Sequence, residues 1–242
     1  MAAWWGLGLA LDLGAGISAG ILGRQIGIAL LWTLVWWLAT SSVLFATTPL
    51  LRTFPGGVAL EGLGLPNGLT AVRAYLALPV LLFAVLPPLG LGRALFLAVA
   101  APIAALDAAD GFIARRVGPV TVLGRALDPV MDTVFFSICA AAAWLVGLLP
   151  AWLAAIMLVR YGLPALGFAI LYPWLRRRPE LVATGFGKVS TLAGALAIGI
   201  GGALVLAGGP AGDFDLAMAV ILAAGVSLHF GALYRRTWVT SP

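Results

Sequence analysis

The stretch LDAADGFIARRVGPVTVLGRALDPVMD, residues 106–132, gathers Asp107, Asp110, Asp128 and Asp132, although the whole chain has only seven aspartates. Around it the sequence is nearly pure oil. Of 242 residues, 62% are hydrophobic and 10% charged, with a mean hydropathy of +1.10. No soluble domain of this length has that balance. Apolar stretches long enough to cross a bilayer as a helix, roughly 20 residues, follow one another almost end to end. A β-barrel would show short alternating segments instead. The fold class is therefore all-α, a polytopic membrane helical bundle.

Working outward from the quoted stretch, the clearest spans fall at 27–50, 68–87, 91–113, 126–148, 151–174, 188–208 and 214–234. Loop signals separate them at RTFPGG, PPLG, RRVG, LLP, RRRPE and GGPAGD. A weaker apolar stretch, 3–22, contains Asp12 and five glycines. It reads either as an extra span or as a helix lying in the interface. The six spans from 67 to 236 form one unit, and 1–55 reads as an N-terminal extension. The first residues, Met-Ala-Ala-Trp-Trp, lack a basic n-region, so a cleaved signal peptide is not expected. The single cysteine, Cys139, sits in an apolar span and offers neither a disulfide nor a metal cluster.

Charge orients the bundle. Arg115, Arg116, Arg125, Arg176, Arg177, Arg178, Lys188, Arg235 and Arg236 gather at one set of span ends. Arg93, with Asp213 and Asp215, lies at the other. The positive-inside rule then puts the 115–125 and 176–188 loops at the cytoplasmic face of a cell membrane. The net charge of +5 reflects those loops beside anionic lipid rather than nucleic-acid binding. The nine tryptophans, among them Trp4, Trp5, Trp36, Trp37 and Trp238, fit interfacial belts.

Asp107 and Asp110 are three apart, and Asp128 and Asp132 four apart, so each pair shares a helical face. A short loop makes the two helices antiparallel neighbours, and all four carboxylates converge just inside the membrane boundary. Clustered anions in a low dielectric repel one another and take up protons unless cations neutralise them. Oxygen ligands without His or Cys suit Mg²⁺ or Mn²⁺ rather than zinc. Such ions complete their shells with water and phosphate oxygens. Two of them clamp the attacking and leaving oxygens of a phosphoryl displacement. Bland readings stand beside this one. Asp128 precedes Pro129 and has the makings of a helix cap. Gly111 and Ala114 suit small-residue helix packing as well as ligand approach. Arg115 suits a membrane anchor as well as a phosphate.

Written out, Asp107-x2-Asp110-Gly111-x2-Ala114-Arg115-x8-Gly124-x3-Asp128-x3-Asp132 resembles, at every fixed position, the signature of the CDP-alcohol phosphotransferase family. The resemblance covers about 66–236. It implies a six-helix transmembrane core, with one or two further hydrophobic helices in 1–55. It implies an enzyme that moves a phosphatidyl group from CDP-diacylglycerol, or a related CDP-alcohol, to an acceptor hydroxyl and releases CMP. Asp107, Asp110, Asp128 and Asp132 would bind two metal ions, with Asp132 also the base. Gly111, Ala114, Arg115 and Gly124 would line the CDP site, joined by Thr121. PNGLTAVRAY resembles a second family element, with Asn67, Thr70 and Arg73 for the cytidine and phosphates. Asn67 and Thr70 read equally as helix caps. A homodimer is implied by the resemblance alone. Thr133 stands where many relatives have lysine.

Two basic residues bear on the acceptor. Arg160 lies mid-span, where an unpaired guanidinium is expensive, so it faces a cavity or an acid. Lys188, in GFGKVST, resembles the Gly-Lys-x-x-Thr of the phosphatidylglycerophosphate synthase branch, with Thr191 in the matching place. Together Arg160 and Lys188 suit an acceptor phosphate. Glycerol 3-phosphate is the expected acceptor, with inositol phosphate and then serine as alternatives. Snorkelling to the interface is the rival role for Lys188, and a structural pair with an aspartate that for Arg160. His229 reads as packing. A cation-coupled transporter would explain the acids, but not Gly111, Ala114 and Arg115. An idle scaffold would have no use for intact acids.

Overall fold

The computed structural model describes the backbone of residues 2–54, 56–117, 121–171 and 185–234. Side chains at 105–117, 129, 163–171, 185–188, 229–230 and 232–234 lie outside the described residues. Helices account for nearly everything described. They are α1 (Ala2–Leu22), α2 (Ile26–Ala46), α3 (Gly64–Val85), α4 (Leu89–Val117), α5 (Val122–Leu145), α6 (Ala151–Leu171), α7 (Gly185–Leu196), α8 (Gly202–Leu206) and α9 (Gly212–Tyr234). A π-helical turn, Ala197–Gly201, joins α7 to α8, so the expected span 188–208 is one continuous helical rod. Among the described residues, five segments are long and apolar enough to cross a membrane, including α1 over Ala2–Leu22. The stretch 3–22 therefore has the dimensions of a span.

In lipid there is little hydrophobic drive between helices, so close approach relies on small residues. The main core shows this. Ala77, Val80 and Ala84 of α3 meet Phe96 and Ala100 of α4, and Ala140 and Ala143 of α5. Leu153 and Met157 of α6 and Ala193 and Ala197 of the α7 rod complete it. α3 is the central helix. It packs extensively against both α4 and α5, whereas α4 and α5 touch each other little among the described residues. The end of α4 that carries Asp107 and Asp110, where α4 and α5 are expected to be neighbours, has its side chains outside the described residues.

The N-terminal hairpin is built on the same rule. Gly8, Asp12, Gly16 and Gly20 recur every four residues on α1 and are all buried. A side chain at Gly16 would collide with Thr33, and one at Gly8 with the Tyr75 ring. Asp12 sits in this stripe, and neither of its oxygens has a hydrogen-bond partner among the described residues. The expected tryptophan belt is corrected in part. Trp36 lies midway along α2, and its indole N–H donates to the Ala74 carbonyl of α3 at 2.9 Å. A buried indole needs an acceptor, and the carbonyl supplies it. Trp238 lies outside the described residues.

Candidate active site

α3 begins at Gly64, with Leu63 at its N-cap. Asn67 and Thr70 are therefore inside the helix and do not cap it. With Arg73 they recur every three residues and form a buried polar stripe. Each reaches α5 or its cap. The Thr121 hydroxyl donates to Asn67 Oδ1 at 3.0 Å, while Asn67 Nδ2 donates back to the Leu63 carbonyl at 2.7 Å. Thr70 Oγ1 donates to Asp128 Oδ1 at 3.1 Å. Arg73 Nη2 donates to Asp132 Oδ1 at 2.8 Å. The three rungs ascend both helices in the same direction, as two parallel helices require.

The same geometry settles two local roles. Thr121 is the N-cap of α5, accepting from the Gly124 amide at 2.9 Å. Asp128 lies well inside the helix, so it is not the cap, because Thr121 already holds that position seven residues earlier. At Gly124 the Asn67 side chain of α3 lies close to the α5 backbone. A Cβ there would stand 2.8 Å from Asn67 Oδ1, so only glycine admits the Asn67–Thr121 contact.

Arg73 is 1% exposed while Asp132 is 37% exposed, and Asp128 is exposed as well. α3 thus grips the acids from the buried side and leaves them partly open. A guanidinium buried this deeply would be prohibitive without an anion, and Asp132 supplies one. The described donors on this face are hard oxygens, carboxylate and hydroxyl, which fit a divalent ion of the magnesium type. Among the described residues no three acidic, His or Cys side chains converge. Asp107, Asp110, Gly111, Ala114 and Arg115 fall on the helical backbone of α4, the acids on successive turns of one face. Their side chains, and that of Lys188, lie outside the described residues.

Arg160 stands apart on α6. It is buried, and its Nε donates to Ser190 Oγ on α7 at 2.9 Å. Its guanidinium lies 5.4 Å from the centre of the Tyr161 ring. That ring in turn stacks on Phe136 of α5, at 4.9 Å. Ser190 went unnoticed in the sequence, although it lies in GFGKVST, two residues from Lys188. The hydrogen bond between α6 and α7 is what brings Ser190 to Arg160.

Residues 63–230 match the model of the family described as CDP-alcohol phosphatidyltransferase. The chain belongs to that family. A Mycobacterium tuberculosis H37Rv protein bearing the provisional name of a phosphatidylglycerophosphate synthase is 30% identical over 167 residues, 68% of this chain and 75% of its own. A Mycobacterium bovis protein provisionally named as a cardiolipin synthase is 31% identical over 129 residues, 53% of this chain and 59% of its own. No solved structure matches. This CDP-alcohol phosphatidyltransferase is thus a transferase of phospholipid synthesis, in agreement with its apolar helices. The substrates implied by the family are a CDP-alcohol and an alcohol acceptor within a membrane.

Proposed function

We propose that this phosphatidyltransferase moves the phosphatidyl group of CDP-diacylglycerol onto glycerol 3-phosphate and releases CMP. The observation that carries the reading is the pairing of Thr70 with Asp128 and Arg73 with Asp132. It joins the two motifs, PNGLTAVRAY and the aspartate signature, into one site. Thr70 and Arg73 orient the carboxylates of α5, and Arg73 offsets part of their mutual repulsion. Asp107, Asp110, Asp128 and Asp132 would hold two Mg²⁺ or Mn²⁺ ions, which supply charge stabilisation at the diphosphate when bound. Asp132, partly exposed, is the base that takes the proton of the acceptor hydroxyl. Asn67, Thr70, Arg73, Gly111, Ala114, Arg115, Thr121 and Gly124 surround the CDP-alcohol. Arg160, fixed by Ser190, and Lys188 receive the acceptor phosphate, as planar and point-charge donors respectively.

The site opens to the cytoplasmic face of the cell membrane, because the basic loops cluster at that end of the spans. Residues 66–236 form the transferase unit, 1–55 the extension, and two copies assemble as a homodimer. Purified protein incubated with CDP-diacylglycerol and Mg²⁺ tests the reading. CMP release should require glycerol 3-phosphate and vanish with EDTA. Release with inositol phosphate or serine alone would reassign the acceptor. Release with phosphatidylglycerol alone would favour the activity in the second relative's name. Cation uptake without CMP would point to transport.

A further inference from the structure

Residues 51–54 and 56–60, between α2 and α3, lie outside the family segment 63–230, yet they fasten onto the helix that carries Asp128 and Asp132. The segment folds back on itself. Thr53 N donates to the Val58 carbonyl at 2.8 Å, Gly57 N to the Thr53 carbonyl at 2.8 Å, and Leu60 N to the Leu51 carbonyl at 2.9 Å. The Thr53 hydroxyl accepts from Val58 N at 3.0 Å. Gly57 turns the chain with φ +68°, a value that glycine adopts freely.

Two fastenings then reach α5. Thr53 faces Thr121 across an antiparallel bridge, within which the Val122 amide donates to the Arg52 carbonyl at 2.9 Å. Val122 is the first residue of α5, so its amide has no acceptor within the helix. Three residues on, the Arg125 guanidinium lies 4.0 Å from the centre of the Phe54 ring. Behind the acids, Leu123, Leu127 and Met131 pack in one buried cluster with Leu44 and Leu51 of the extension, against Trp4 and Trp37. The first turn of α5 is therefore held by Thr121 from its own chain end, by Asn67 from α3 and by the 51–60 turn.

We infer that the 51–60 turn is a clasp that sets the rotation of α5 and so the placement of Asp128 and Asp132, with Thr53 and Phe54 as positioning residues. The magnitude is adequate. Side-chain tips lie about 5–6 Å from a helix axis, so a rotation of roughly 10° moves them about 1 Å. A displacement of that size can slow a reaction about 100-fold. The clasp gives the extension a part in the reaction, and it rests on the metal-site reading above.

Thr53→Val removes the hydroxyl acceptor, and Phe54→Ala removes the ring beneath Arg125. Phe54→Trp keeps an aromatic face. In both loosened variants, backbone hydrogen exchange over 121–127 should accelerate. The Mn²⁺ dissociation constant, read by electron paramagnetic resonance, should rise about threefold, the scale of one exposed cation–π contact. kcat should fall while KM for the acceptor holds, and Phe54→Trp should behave as wild type. Unchanged exchange and unchanged Mn²⁺ affinity in both variants would overturn the clasp. So would a kcat loss that Phe54→Trp fails to prevent. Exchange needs no turnover, so a chain inactive toward CDP-diacylglycerol that still showed the exchange change would overturn the functional reading and support the clasp.

Discussion

The two faces of α3 do opposite jobs with neighbouring residues. Toward α5 the helix presents Asn67, Thr70 and Arg73, each hydrogen-bonded to a polar partner on that side. Toward the N-terminal hairpin it presents Gly68, Ala71, Ala74 and Tyr75. There Gly68 faces Trp4, and the Tyr75 hydroxyl pairs with Ser41 at 3.1 Å. One face orients charge and the other makes close contact. The difference is clearest in the acid on each side. Asp132 has the Arg73 guanidinium at 2.8 Å. Asp12, on the hairpin side, is wholly buried with no hydrogen bond to either oxygen among the described residues. A polar group is retained at a cost in both places, but only on the α5 side does a partner offset it.

The sharpest way to break this contrast is Asp132→Asn. It keeps the shape and removes the proton acceptor, so CMP release should fall by about 10²–10⁴-fold. A variant retaining activity within tenfold would remove Asp132 from the base role. Arg73→Met should come next. It leaves the Asp132 carboxylate without its guanidinium, and because that carboxylate is partly exposed the stability loss is about 2 kcal/mol, below that of a fully buried pair. A thermal melt in detergent and a kcat reduced at least tenfold would register it. On the other face, Gly68→Val drives a side chain into the Trp4 ring. Overpacking of this kind costs about 1–3 kcal/mol, and the melting temperature should fall while kcat per folded molecule stays near wild type. Thr70→Val removes one hydrogen bond to a charged acceptor, about 1.5 kcal/mol at most in this half-open setting, and should lower kcat several-fold. Smallest of all, Asp12→Asn should leave kcat within twofold and the melting temperature equal or slightly higher. A large activity loss there would erase the distinction between the two faces.

Much of the chain was readable in one dimension. The spans were visible because bilayer thickness dictates a length of apolar sequence, and the observed helices begin or end within several residues of them. The reach of α5 back to Val122 was missed because Thr121 caps it, and a lone threonine before Val-Leu-Gly is a weak signal. The alternative reading of Asp128 before Pro129 as a helix cap does not hold, because Thr121 caps α5. The i, i+3, i+6 rhythm of Asn67, Thr70 and Arg73 marked a common face. Nothing local said that this face meets Asp128 and Asp132, since those pairs lie 58 and 59 residues apart. Ser190 carried no mark of its own, because its partner Arg160 lies 30 residues away in the chain.

By itself, then, the sequence determined the class of solvent, the helices and the spacing of the acids, because hydropathy, periodicity and carboxylate spacing are local properties of the chain. Only the tertiary structure decided that α3 packs against both α4 and α5, that Arg73 belongs to Asp132, and that the extension reaches the first turn of α5. Those are matters of which small-residue face fits which neighbour, and in lipid that choice is made by three-dimensional shape.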